Sequence, residues 1–286
     1  MTTNVSFSFL HFIREPWRNP LRFAIYTSFC TLLAIIVSST FRSTGSSVFL
    51  FLLTLAYIPF MFHAAGRVKH ISDIKKWWKH ALIIFVVTVV FYSAYALVSP
   101  VNTLDYRFEA QWEQIEGYGI DSRPGPSITA FQFVALNNIQ VVIKIVILSL
   151  LGAGGIYLFL YSASSLAIFL TTFLMAKKDI IFSSGAPSFI AFLTLTYLPH
   201  NILEFSSFII AGLGSVKLIV DIYNKSGSWQ SRISDSLPQF LKFFLLSILL
   251  VLIAAAFETF VDPWLASFFY SNEFIFLVPG DPTTLL

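Results

Sequence analysis

Between Ile128 and Met175 the chain carries one charged residue, Lys144. A run this long and this apolar exceeds the roughly 20 residues that one helix needs to cross a bilayer. Comparable runs cover Leu21 to about Thr40, Ser47 to His63, His80 to Val98, Pro199 to Val220 and Pro238 to about Phe260. Backbone groups in lipid must find their partners within the protein, which leaves helices or closed barrels. Barrel strands are short and alternate in polarity, whereas these runs are long and unbroken. The expected fold is all-α, a polytopic transmembrane helical bundle of about six to eight hydrophobic segments, some broken or re-entrant. The chain is 12% charged, against about 25% for a soluble domain.

The polar residues predict the topology. The segment Gly66–Lys79 holds Arg67, Lys69, Lys75, Lys76 and Lys79, and Lys217, Lys225 and Arg232 form a second basic group. The positive-inside rule places both in the cytoplasm, with Trp77 and Trp78 as interface anchors. Residues 1–20 mix Phe7, Phe9, Phe12 and Trp17 with Arg14 and Arg18, the pattern of an interfacial segment on the same face or of a packed N-terminal arm. The acidic stretch Ser99–Ser127, with a short helix expected over Leu104–Ile115, falls outside, as does the tail after Pro263. The expected location is the plasma membrane, multi-pass, with a cytoplasmic N-terminus and the first apolar run retained as an anchor. One conflict arises at Lys177 and Lys178. Two full crossings between Ile128 and Met175 leave them outside, and a re-entrant or surface-lying 131–151 puts them inside; the positive-inside rule favours the second.

These loops account for the net charge of +3, so no nucleic-acid partner is expected. The expected partners are the lipid bilayer and other membrane or envelope proteins, a second copy of the chain among them. Cys30 is the single cysteine and forms no internal disulfide.

Chemistry concentrates in Tyr197-Leu198-Pro199-His200-Asn201-Ile202-Leu203-Glu204. Pro199 starts or breaks a helix, because it fixes φ and lacks an N–H. His200 and Glu204 stand at i and i+4 and share a helical face. An ionisable group at membrane depth costs about 3 kcal/mol on insertion scales, so such groups face a bundle interior or a wet cavity. Pro199, His200, Asn201, Glu204, Asn137, Asn138, Lys144 and Glu258 form the candidate functional or structural core. The His200/Glu204 pair has three readings: a hydrogen bond that fixes a broken helix, a proton-linked or ligand-binding pair, or part of a metal site. One histidine and one glutamate fall short of the three protein ligands of a catalytic zinc. There is no His-Glu-x-x-His motif and no phosphate-cradling glycine loop, so no metal, cofactor or catalytic residue is expected. Lys144 either pairs with Glu204 or Glu258 or snorkels to an interface.

A second set of residues concerns helix packing. Gly152, Gly154 and Gly155 mark a break in the long apolar run. Ser207, Ala211 and Ser215 repeat at four with Gly212 and Gly214 beside them, which lets helices approach closely in a membrane. Phe189–Leu198 and Pro199–Val220 are expected as a hairpin or a pair of broken helices, an arrangement around which transporters build sites.

Three motifs in order carry a family resemblance. Asn137-Asn138 opens a segment that runs into Gly152–Gly155. Leu198-Pro199-His200-Asn201-Ile202-Leu203-Glu204 resembles a Pro-His-Gly-Ile-x-Glu motif followed by small residues. Ala255-Ala256-Phe257-Glu258-Thr259-Phe260-Val261-Asp262-Pro263 resembles an Ile-Glu ending that closes on Thr-Pro. Together, over roughly His80 to Pro263, the chain resembles the stage II sporulation protein M family of integral membrane proteins. Asn201 stands where the family commonly has Gly, Asp262 where it has Thr, and Ser162-Ala163 where it has Asn-Gly. The resemblance implies a multi-span helical fold and a role in the cell envelope; in sporulating bacteria the family acts with cell-wall hydrolases. That sporulation role is not carried over to this chain. The expected organisation is residues 1–79 as an interfacial segment, a two-span hairpin and a basic loop, 80–263 as the membrane core, and 264–286 as an extracytoplasmic tail. The leading expectation is a non-enzymatic scaffold or membrane-organising component of an envelope complex. The alternatives are a permease-like subunit working through His200/Glu204 and an intramembrane hydrolase.

Overall fold

The computed structural model describes residues 16–40, 45–99, 126–152, 154–184 and 198–265. Among these are seven α-helices and no strand: α1 (Pro20–Ser38), α2 (Gly45–Arg67), α3 (Ile71–Val98), α4 (Ile128–Leu150), α5 (Gly155–Ser184), α6 (Leu198–Asn224) and α7 (Trp229–Ala256). A π-helical turn, Phe257–Val261, continues α7. Six of the seven are long and apolar enough to cross a membrane, and α5 adds the shorter apolar stretch Gly155–Thr171. The expected polytopic helical bundle is what the fold shows.

Local chemistry sets the helix starts. Asn19 caps α1 by accepting a hydrogen bond from the Leu21 N–H at 2.8 Å, with Pro20 at the first helical position, where a missing N–H costs nothing. Asp73 begins α3 by accepting from the Lys69 and His70 N–H groups, both at 3.0 Å. Ser127 and Ser228 cap α4 and α7 in the same manner.

Two sequence boundaries shift. The basic segment 66–79 is mostly helix, because α3 starts at Ile71 and carries Lys75, Lys76 and Lys79 on its first turns. Trp77 and Trp78, expected as interface anchors, turn toward the bundle. Trp77 packs on Phe60 and His63, and Trp78 Nε1 donates to Ser206 Oγ at 3.0 Å. Pro238, expected to open the last span, lies inside α7, since Ser228 starts the helix earlier. The short helix expected at 104–115, the segment 189–197, the residues before 16 and the tail after 265 lie outside the described residues.

The larger difference concerns 131–151. Ile128–Leu150 is one continuous 23-residue helix, long enough to cross by length and composition, which favours the two-crossing alternative over a re-entrant or surface-lying 131–151. With α5 following, Lys177 and Lys178 stand toward the opposite end of the bundle from the turn at Gly152. Two lysines near a helix end carry little topological weight against two full apolar lengths.

Contacts between helices define two ends. At one, Trp17 packs on His63, Gln239 bonds the Lys69 carbonyl, a Cβ on Gly66 would lie 3.9 Å from Val220 Cγ1, and Phe62, Leu151 and Ile219 border one groove. Arg67, Lys69, Lys75, Lys76, Lys225 and Arg232 gather there, and it is the basic end. At the other, Asn138 meets Glu204 and Phe131 stacks on Phe260 at 6.1 Å. Between the ends, α6 is the central helix. It packs most extensively on α7 and also touches α2, α4 and α5. Every residue from Ile210 to Lys217 is buried, as expected for a helix enclosed on all sides. Large apolar side chains such as Leu21, Phe29, Phe51, Phe133 and Leu245 point outward, where a bilayer would cover them.

The α4–α5 turn depends on glycine for two reasons. A Cβ on Gly155 would sit 2.1 Å from Ser149 Oγ and 2.9 Å from the Ile145 carbonyl oxygen, so α5 starts in contact with the last turns of α4. Gly152 has φ of 123° with open space around it. Gly152→Ala should therefore cost about 1–2 kcal/mol through backbone strain alone. Thermal unfolding in detergent micelles measures this, and an unchanged midpoint would show that the turn adopts another conformation.

Candidate functional site

The first turns of α6, the middle of α4 and the π-helical extension of α7 converge at the end opposite the basic one. Pro199 occupies the second position of α6, so its missing N–H falls among groups that have no intrahelical partner anyway. The helix that begins there presents His200, Asn201 and Glu204 in one turn.

His200 is buried, and its two ring nitrogens face different groups. Nδ1 lies 2.5 Å from Asp262 Oδ2, and Nε2 lies 2.8 Å from Asn201 Nδ2. An amide nitrogen only donates, so Nε2 accepts from Asn201 and the ring proton sits on Nδ1, facing Asp262. Glu204, one turn on, accepts through Oε1 from Asn138 Nδ2 of α4. Asn137 Nδ2 in turn reaches Asn138 Oδ1 at 3.4 Å. Glu258, in the π-helical turn, lies near both Glu204 and His200.

The π-helical turn is what brings the end of α7 into this cluster. Val251, Ala254 and Ala255 form the buried face of α7, and the next buried residue is Thr259. One extra residue in the turn re-aims the chain, as such bulges do, and Asp262 then reaches His200 from a different helix.

The sequence-predicted residues separate into three groups. Pro199, His200, Asn201, Glu204, Asn138, Asn137 and Glu258 come together. His200 and Glu204, read as partners at i and i+4, each meet a side chain of another helix: Asp262 for His200 and Asn138 for Glu204. Lys144 does not join the cluster, because it is exposed on the outside of α4, nearer the basic end, which is the snorkelling alternative. The packing residues Ser207, Ala211, Gly212, Gly214 and Ser215 are buried, and Ser207 Oγ donates to the Ser247 carbonyl of α7 at 2.9 Å.

Asp262 is the residue that sequence reasoning missed. Its signal was its place four residues after Glu258, at the end of an apolar run. Asn201 and Asp262 are also two of the departures from the family motifs, and each sits on one nitrogen of His200. Among the described residues, no group of three His, Cys, Asp or Glu is arranged to hold a metal ion.

Together these features define a multi-span helical membrane protein with a histidine–carboxylate–asparagine cluster at one end of its central helix. The family model of stage II sporulation protein M matches residues 81–263, from just after the basic first turns of α3 to just beyond the π-helical turn. More than half of the chain is matched, and the chain belongs to this family of membrane-associated proteins. Helices α1 and α2 precede the matched region. No curated protein and no solved structure matches the chain.

Proposed function

We propose that this protein is a non-enzymatic component of a cell-envelope complex, a membrane scaffold that organises partner proteins or the bilayer around it. One observation carries the reading: the polar groups of the cluster are spent on joining helices. Asn138–Glu204 ties α4 to α6, His200–Asp262 ties α6 to the extension of α7, and Nε2, the nitrogen a catalytic base would use, is occupied by Asn201. A cavity between Met61, Ile84, Phe159 and Phe208 has a volume of about 30 Å³ and apolar walls. That is room for about one water. Under the positive-inside rule the basic end faces the cytoplasm, which puts the cluster on the outer side of the plasma membrane, where envelope partners or a second copy would dock.

The rival reading is a permease-like subunit that moves a small solute, ion or lipid past His200 and Glu204. The grouping of Glu204, Glu258 and Asp262 at one end favours it, since carboxylates at membrane depth commonly mark ion or proton paths. Glu204→Gln separates the two. In a strain lacking the native gene, complementation by the variant should fall only as far as its abundance in the membrane falls. A variant that accumulates to the wild-type level yet complements nothing would replace the scaffold reading with the permease one.

A further inference from the structure

The outward faces of α1, α2 and α3 are apolar through their middle turns, as at Phe29, Phe51 and Val86. α4 departs from this pattern. Gln140 lies about 18 Å along the helix axis from Ile128 and about 15 Å from Leu150, near the centre of the span, and its side chain is exposed among the described residues. Hydrocarbon offers an amide neither donor nor acceptor, so an outward amide at this depth is costly until another protein group meets it.

The neighbours of Gln140 form a pattern of their own. Leu136, Gln140, Ile143, Ile147 and Leu150 follow one another at alternating steps of four and three, and every one is exposed. That is the spacing of a heptad seam, in which the side chains of one helix fit between those of another. The seam is about 21 Å long, most of the roughly 30 Å of hydrocarbon that a spanning helix crosses. Ala135, Asn138, Val142 and Ile145 are buried on the other side of α4. One face of the helix therefore holds it to its own bundle, and the other is left for a second helix.

We propose that α4 is the interface of a parallel homodimer, in which a second copy of this chain lays its α4 along the seam and the two Gln140 amides hydrogen-bond to each other. Two copies in one membrane share an orientation. Across a two-fold axis along the membrane normal, α4 meets its counterpart in register, and each seam residue faces its own copy. An amide both donates and accepts, so glutamine is complementary to itself. A single polar residue within an apolar seam also fixes register and helix number. Lys144 stands on the flank of the seam, beside Ile143. In a parallel pair the two copies of one flanking position lie on opposite sides of the seam, so the lysines do not face each other and each can still extend toward the basic end. The interface leaves the cluster intact, because Asn138 reaches Glu204 from the buried side of α4.

The test uses the full-length protein in membrane vesicles, with Cys30→Ser as the background for single cysteines. A disulfide requires Cα atoms within about 7 Å, so Leu136→Cys, Gln140→Cys and Ile147→Cys should each give covalent dimers on mild oxidation, whereas Phe51→Cys and Val86→Cys should not. Gln140→Leu should weaken association by about three- to tenfold, the range a hydrogen bond between membrane helices supplies. Energy transfer between labelled copies measures this, and Gln140→Asn should retain most of it. Thermal unfolding should be the same in all three proteins, since Gln140 is exposed. Cross-linking along the seam no stronger than at Phe51→Cys and Val86→Cys overturns the proposal, as does association that Gln140→Leu leaves unchanged. A photoreactive residue at position 140 that links to a different protein, or to another segment of its own chain, also overturns it, because the seam would then have a different occupant.

Discussion

Gly214→Ala should destabilise the bundle by about 2 kcal/mol, while Gly212→Ala leaves it unchanged or slightly more stable, although the two positions are neighbours on α6. Both substitutions bring the same gain in helix propensity, about 1 kcal/mol relative to glycine. They differ in what the new methyl group meets. At Gly212 the nearest atoms are Met61 Cε at 3.5 Å and Ile145 Cγ2 and Ser149 Oγ at 3.7 Å, which is ordinary contact with side-chain ends. At Gly214 a Cβ would lie 2.6 Å from Phe243 Cβ and 3.1 Å from its Cγ. Phe243 is 1% exposed, and its Cβ is fixed to the α7 backbone, so no rotamer change relieves the clash. The helices must part, and parting them also stretches the Ser207–Ser247 hydrogen bond. Reversible unfolding in mixed micelles, followed by circular dichroism, measures both variants. Equal stability of the two would show that α6 and α7 do not approach as closely as described.

Asn138→Leu is the second large expected effect. It leaves the Glu204 carboxyl without the amide that it accepts from, and an abandoned polar group in a buried site costs about 2 kcal/mol, more when it is charged. Replacing both partners, Asn138→Leu with Glu204→Leu, removes the polar demand along with its supply. The double variant should be less destabilised than the two single effects added together, with a coupling energy of about 1–3 kcal/mol. A strictly additive cycle would show that Asn138 and Glu204 do not depend on one another, and that the cluster does not hold α4 to α6.

Much of the fold was legible because lipid leaves a chain few choices. Long apolar runs with scattered small residues specify helices, and the runs at Leu21 and Ser47 map directly onto α1 and α2. The glycine break between α4 and α5 was legible for the same reason: few residues other than Gly152 and Gly155 tolerate that turn. The unbroken length of α4 weighs against the re-entrant expectation for 131–151, which rested on Lys177 and Lys178 alone. The limits of α3 and α7 were misplaced because their first turns are polar, and capping by Asp73 and Ser228 extends each helix beyond its apolar span.

The candidate site was legible as a set of residues and illegible as a set of pairs. An ionisable side chain in an apolar run is conspicuous, so His200, Glu204, Asn137, Asn138 and Glu258 stand out in one dimension. The helical period also makes His200 and Glu204 natural partners. That pairing is local, and the interactions that form are not. Asn138 and Glu204 are 66 residues apart, and Asp262 reaches His200 only because a π-helical turn re-aims the end of α7.

The sequence by itself determined the class of this protein, its family, and the position of its central helix. Hydrophobic length, small-residue spacing and the order of the motifs are properties of a chain, and lipid enforces the rest. Only the tertiary structure decided which polar groups meet, that Lys144 faces outward, and that the ends of α2, α4 and α6 leave a groove between them. Those outcomes depend on how α6 packs against its neighbours, and one added residue in the π-helical turn re-aims the end of α7.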